Sequence, residues 1–166
     1  MRQFLSIFLA LMILLTCAAC QQESETPENS VTVYYRASAI SYGTAEGVIR
    51  PCLLDTTNQE NDAVHLLNAY FSRDLSEEFA ATFPQSTRLV SLSLDGLTAK
   101  IILCDDFAML SGLDLSIACA CLTKTVISLT GCQEVIISTE SAQLDGHNFI
   151  TLTQDSYLLL DESGMD

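Results

Sequence analysis

Residues 90–101 read VSLSLDGLTAKI, and this stretch decides the fold class. Val90, Leu92 and Leu94 alternate with Ser91 and Ser93, then Leu97, Ala99 and Ile101 alternate with Thr98 and Lys100. Successive side chains of a strand point to opposite faces, so each half is a strand with one apolar face. Between them stands Asp95-Gly96, the dipeptide preferred in a type I′ two-residue turn. Folding there sets Leu94 opposite Leu97, Leu92 opposite Ala99 and Val90 opposite Ile101, with all six on one face. The expected result is an antiparallel hairpin whose apolar face needs a covering layer.

That layer is legible on both sides. Downstream, Ser111-Gly112-Leu113-Asp114 reads as a capping start, with Ser111 as N-cap and Asp114 near the positive end of the helix dipole. Leu115, Ala118, Cys119, Leu122, Val126 and Leu129 then fall on one helical face, and Gly131 supplies the stop. Val135 to Ser138 is a further strand. Asp145-Gly146 sits in a longer loop, followed by short strands at Phe149–Leu152 and Tyr157–Leu160. Upstream, Val31–Arg36 and Gly47–Leu54 read as strands, with Pro51 marking the second as an edge. Thr56–Asp62 is a loop rich in capping residues. From it Ala63, Val64, Leu67, Tyr70 and Phe71 recur at helical spacing, leaving His65 and Asn68 off the stripe. Leu75–Phe83 is expected to add a short helix stopped by Pro84. The order implies an α+β fold: a mainly antiparallel sheet with two principal helices packed on one face.

The chain starts with one basic residue, Arg2, and an apolar run from Phe4 to Leu15 broken only by Ser6. That length suits a signal-peptide core and is short of the roughly 20 residues a membrane span needs. Ala18 and Ala19 precede Cys20, the small-residue pattern that resembles a bacterial lipobox. The resemblance implies cleavage after residue 19, lipid on the Cys20 sulfur, and a location on the extracytoplasmic face of the cell membrane. Cys17 is the competing lipidation position, with Thr16 before it a poorer fit. Multiple acyl chains make such an anchor stable, since one alone binds only marginally. Residues 20–30 are polar and acidic and are expected to form a tether, leaving 31–166 for one domain.

Twenty-one acidic against 7 basic residues set the formal charge at −14, and losing Arg2 with the signal brings it to −15. Scattered cations on so acidic a chain argue against nucleic acid, which needs clustered Lys and Arg. Any partner should offer basic patches. Beyond Cys20 the mature chain holds Cys52, Cys104, Cys119, Cys121 and Cys132, an odd number that cannot all pair internally. Cys119 and Cys121 are two apart on the expected helix and point to different faces, a poor metal clasp. They are better explained as small hydrophobes. No cofactor or metal motif is expected.

His65 and His147 lie far apart in sequence, with no nucleophile marked beside either. Asp105-Asp106 is the adjacent carboxylate pair that could serve in glycoside chemistry, though solvated acids explain it more simply. No catalytic residue is therefore expected. Absence of tryptophan also counts against a carbohydrate-stacking site.

The run from Val31 to about Leu160 resembles the GerMN domain family of sporulation and germination lipoproteins. The matching residues are Val33-Tyr34-Tyr35, Arg50, the helix opening at Ala63-Val64 with Leu66, and Phe83-Pro84-Gln85-Ser86-Thr87 before Leu89. Asp95-Gly96, Asp106-Phe107 and Val135-Ile136-Ile137 continue the match. Where the family commonly has Gly-Pro, this chain has Tyr70-Phe71-Ser72. The resemblance implies a fold like the ring-building motifs of secretion systems. It also implies a non-enzymatic scaffold role in an envelope or sporulation complex, with protein partners and self-association. The other expectation is a solute- or cell-wall-binding lipoprotein. For association, β-strands Val31–Arg36 and Gly47–Leu54 are the expected contacts, with Arg36 and Arg50 taking part.

Overall fold

The structure, a computed structural model, describes residues 30–39, 47–56 and 62–154. The signal segment, Cys17, Cys20, the tether before Ser30, most of the loop Thr56–Asp62 and the strand read at Tyr157–Leu160 lie outside these residues.

Strands β1 (Ser30–Arg36) and β2 (Ile49–Asp55) pair antiparallel, from Ser30 opposite Asp55 to Arg36 opposite Ile49. Helix α1 (Ala63–Ser72) follows, burying Leu66, Leu67 and Tyr70 while His65 and Asn68 face solvent. Strands β3 (Leu89–Asp95) and β4 (Thr98–Leu103) form the hairpin. A 3-10 turn at Asp105–Met109 leads into helix α2 (Gly112–Thr130), and β5 (Glu134–Thr139) and β6 (Ile150–Thr153) complete the described fold. The second sheet has the order β3-β4-β5-β6. Its β4–β5 pair is parallel because α2 carries the chain back to the starting end, and its other pairs are antiparallel. The α+β class holds, with the strands divided between a two-stranded and a four-stranded sheet.

The hairpin has the expected apolar face but a different register. Asp95 pairs with Thr98, Leu94 with Ala99 and Leu92 with Ile101, so the turn residues are Gly96 and Leu97. Gly96 has φ of 61° and Leu97 is not among the positive-φ residues, which is the type II′ pattern rather than I′. A reason lies at the far end of the hairpin. The expected register would put Leu103 opposite Arg88; the observed one, with a bulge at Val90, puts Leu89 there. A slip of two residues leaves each side chain on its face, so Ser91 and Ser93 stay exposed and Ala99 and Ile101 buried. Leu94, Leu97 and Val90, expected under the helices, are instead exposed.

Helix α2 ends as expected on Gly131, at φ 70°, whose N–H donates to the Ile127 carbonyl. Its burial is wider than one stripe. Ile117, Ala120, Cys121, Thr123 and Thr125 are buried as well as Leu115, Ala118, Cys119, Leu122 and Val126. The cause is that α2 packs on the four-stranded sheet and also directly against β1. Small side chains at 118–121 suit so close an approach, and the Tyr34 N–H reaches the Thr125 hydroxyl at 2.9 Å. By length and composition α2 could span a membrane, but it serves as the core helix of this domain. One continuous core runs from Val33, Tyr35 and Leu54 through Leu67 and Leu122 to Ile101 and Ile137.

Leu75–Phe83 is not a helix. Its backbone instead extends the smaller sheet: Ser38 N–H donates to the Glu78 carbonyl and Ala80 N–H to the Arg36 carbonyl. The four-residue spacing of Leu75, Phe79 and Phe83 serves ring packing rather than a helical stripe. Phe79 lies 5.7 Å from Tyr35 and Phe83 5.3 Å from Tyr70, centroid to centroid.

Candidate functional surface

Each polar residue singled out in the sequence has a place. Asp105 opens the 3-10 turn and accepts hydrogen bonds from the Ser141 hydroxyl, from Ser141 N–H at 2.8 Å and from Ala142 N–H at 2.9 Å. The Ser141 hydroxyl first, then the two amides, hold its carboxyl below the usual carboxylate range. A general acid needs the opposite shift. Asp105 thus clasps the start of the 3-10 turn to the β5–β6 loop, while Asp106, beside it, makes none of these bonds.

Asp114 stands in the first turn of α2, as expected, and accepts from the Arg36 guanidinium at 2.6 Å. Arg36 is therefore engaged within the domain while its side chain remains partly exposed. Ser111 occupies the N-cap position, but its side chain makes no cap bond. The cap comes from a distant residue: Asp145 accepts from the Gly112 N–H at 2.7 Å. Sequence reasoning missed this role because the partner lies 33 positions away. Its signal was present, since Asp145-Gly146 forms the tight turn, with Leu144 and His147 exchanging backbone bonds of 2.8 and 2.9 Å.

His147 thus enters the fold through its backbone, while His65 sits exposed on α1 with Nδ1 3.4 Å from the Asp62 carboxylate. The structure does not bring the two together with Asp105. Cys52, Cys104, Cys119, Cys121 and Cys132 are all free thiols, and the last four are buried. Burial pushes both Cys119 and Cys121 up to about 12, which leaves them as unreactive thiols. Among the described residues no group of three His, Cys, Asp or Glu side chains is placed to hold a metal.

The remaining candidates are strand edges, where backbone groups can receive another chain. The outer edge of β1 is already filled. Thr125 accepts from Tyr34 N–H, Tyr70 hydroxyl donates to the Tyr34 carbonyl at 2.6 Å, and Thr82 accepts from Arg36 N–H at 2.9 Å. Tyr35 returns a bond to the Tyr70 carbonyl at 2.7 Å, and burial raises both phenols well above their ordinary range. On β2, Pro51 lies opposite Tyr34 and Arg73 donates to the Leu53 carbonyl at 2.7 Å. The strand expected as a contact near the tether is therefore closed.

No family model matches the chain, and no curated protein matches it. A solved structure named "Putative Lipoprotein from Clostridium perfringens" is similar at 12% identity and a TM-score of 0.44, over 76% of this chain and 89% of that one. Likeness at that level carries no statement about function. The GerMN resemblance rests on the residues quoted for it above.

Proposed function

We propose that this chain is an extracytoplasmic lipoprotein, anchored through Cys20, whose folded part is a non-enzymatic assembly module of an envelope or sporulation complex. One observation carries the anchor: the apolar run Phe4–Leu15 closes on Ala18-Ala19-Cys20 and is followed by an acidic, polar stretch. The resemblance to GerMN domains supplies the scaffold role. The bonding of Asp105, Asp114 and Asp145 is consistent with it, because these carboxylates hold elements together.

The test is membrane fractionation of Cys20→Ala in the producing bacterium. The variant is expected in the soluble fraction with an unchanged circular dichroism spectrum. Retention in the membrane with lipid on Cys17 overturns the anchor assignment. Turnover of a substrate by the purified chain, abolished at His147 or Asp106, overturns the scaffold role.

A further inference from the structure

The parallel strands β4 and β5 end side by side at Leu103 and Thr139, and three segments meet at that end of the sheet. The chain leaves β4 through the 3-10 turn that Met109 closes, enters α2 at Gly112, and later returns into β6 at Ile150. Met109, Leu113 in the first turn of α2 and Phe149 just before β6 therefore share one end of the fold. They are the most exposed large apolar side chains among the described residues, at 76%, 60% and 59%. Apolar residues exposed singly are ordinary, but several at one end mark a surface that another molecule covers. The segments that carry them are tied together. Asp105 accepts from Ser141 and Ala142, Asp145 accepts from the Gly112 N–H, and Leu144 between them is fully buried. A surface held in place before binding loses little freedom when a partner arrives.

Charge says what that molecule should offer. No lysine or arginine stands in residues 101–123 or 125–166. Asp105, Asp106, Asp114, Glu140 and Asp145 all lie at this end, Glu140 through its N–H bond to the Leu103 carbonyl. Against them stand Arg36, already on Asp114 at 2.6 Å, and Arg88, which lies across the sheet where β3 begins. His147 adds one imidazole in the 144–147 turn. The balance favours a partner that brings cations. A second copy would bring the same carboxylates, and an anionic bilayer would bring phosphates. Position points the same way. Tyr34 bonds Thr125 and Arg36 bonds Asp114, so β1 runs toward the N-terminus of α2. Ser30, where the chain arrives from Cys20, is thus at the other end of that 19-residue helix, a length of about 28 Å.

We propose that this end of the domain is a docking surface for a different protein, one that presents apolar side chains flanked by lysine or arginine. The proposal rests on the assembly reading above and adds where the partner sits and what chemistry it carries. Met109, Leu113 and Phe149 supply the area removed from water, and the surrounding carboxylates select a basic rim on the partner and repel further copies of this chain. Leu94 and Leu97 are nearly as exposed, but they lie at the Ser30 end, where the Leu97 carbonyl accepts from the Gln133 N–H just past α2. They serve as the internal control.

The test is photo-cross-linking of the full chain in the producing bacterium, with p-benzoylphenylalanine in place of Leu113, Phe149 or Leu97 and the adduct read by mass spectrometry. Positions 113 and 149 are expected to give an adduct with the same protein, at a segment with lysine or arginine beside apolar residues, and position 97 is expected not to. Leu113→Ser should cut the adduct from position 149 at least about fivefold, because an apolar contact of that size is lost. Asp106→Asn with Glu140→Gln should cut it about threefold by removing two charges from the rim. Leu94→Ser should leave it unchanged. The proposal is overturned by no adduct from 113 and 149, by an adduct with lipid or a second copy, or by a cross-linked segment without cations. Equal adducts from position 97, or indifference to both the Leu113 and the charge variants, overturn it as well. None of these outcomes touches the anchor, which the Cys20→Ala fractionation tests separately, or the non-enzymatic reading, which substrate turnover tests.

Discussion

Thr123 is fully buried in α2, and its hydroxyl has no hydrogen-bond partner. An unsatisfied buried hydroxyl is a net cost, and valine has nearly the same shape. Thr123→Val should therefore stabilise the domain by about 1 kcal/mol in urea unfolding; a loss of stability would mean that the hydroxyl is bonded. Asp105 makes a contrasting case on the surface. Its folded-state pKa lies below the ordinary value, so its contribution is present above the unfolded pKa and fades as pH falls through the folded one. Asp105→Asn should lower stability at neutral pH and flatten the loss of stability between neutral and acid. A thermal-melt series from pH 7 to pH 3 reads both effects, and parallel wild-type and variant curves would refute the assignment. Neither residue announced its role in sequence. Thr123 falls off the apolar stripe, and the Asp105 clasp depends on Ser141, 36 positions away.

Among elements, the two Asp-Gly dipeptides are the instructive pair. Both carry the type I′ preference, yet it is realised only at 145–146, where φ is 47° at Asp145 and 82° at Gly146. At 95–96 the pairing of two long strands outweighs local preference, and the turn moves one residue along. Asp145 then does a second task by capping α2 at Gly112. Asp145→Ala should lose both the cap and the side chain's tolerance of positive φ, costing about 1–2 kcal/mol. Asp145→Asn, which keeps tolerance and an acceptor, should cost much less. Equal melting temperatures for the two variants would sink this account. Strands β1, β2, β5 and β6 and both helices lie close to where periodicity placed them. Leu75–Phe83 shows the limit: rings four apart fit a helical stripe, but their partners, Tyr35 and Tyr70, come from other elements.

For the whole molecule, the proposed anchor at Cys20 lies outside the sequence of the folded domain. Ser30 begins β1, and the proposed lipid site, Cys20, lies ten positions before it, so Cys20→Ala should free the chain without altering its fold. The sequence by itself determined what depends on local pattern: the apolar, lipobox-like start, the acidic charge, the α+β class, and which residues alternate or recur at helical spacing. Those signals lie within a few residues of one another, where dihedral preference and side-chain period act directly. The tertiary structure alone decided the register of the hairpin, the burial of α2 on two sides and the division into two sheets. It also decided which edges are closed. Thr125, Tyr70 and Thr82 satisfy β1 from 91, 36 and 46 positions away, and no local pattern records such a partner. Backbone groups are satisfied by whatever the fold brings beside them, and that is set by contacts between distant segments rather than by local pattern.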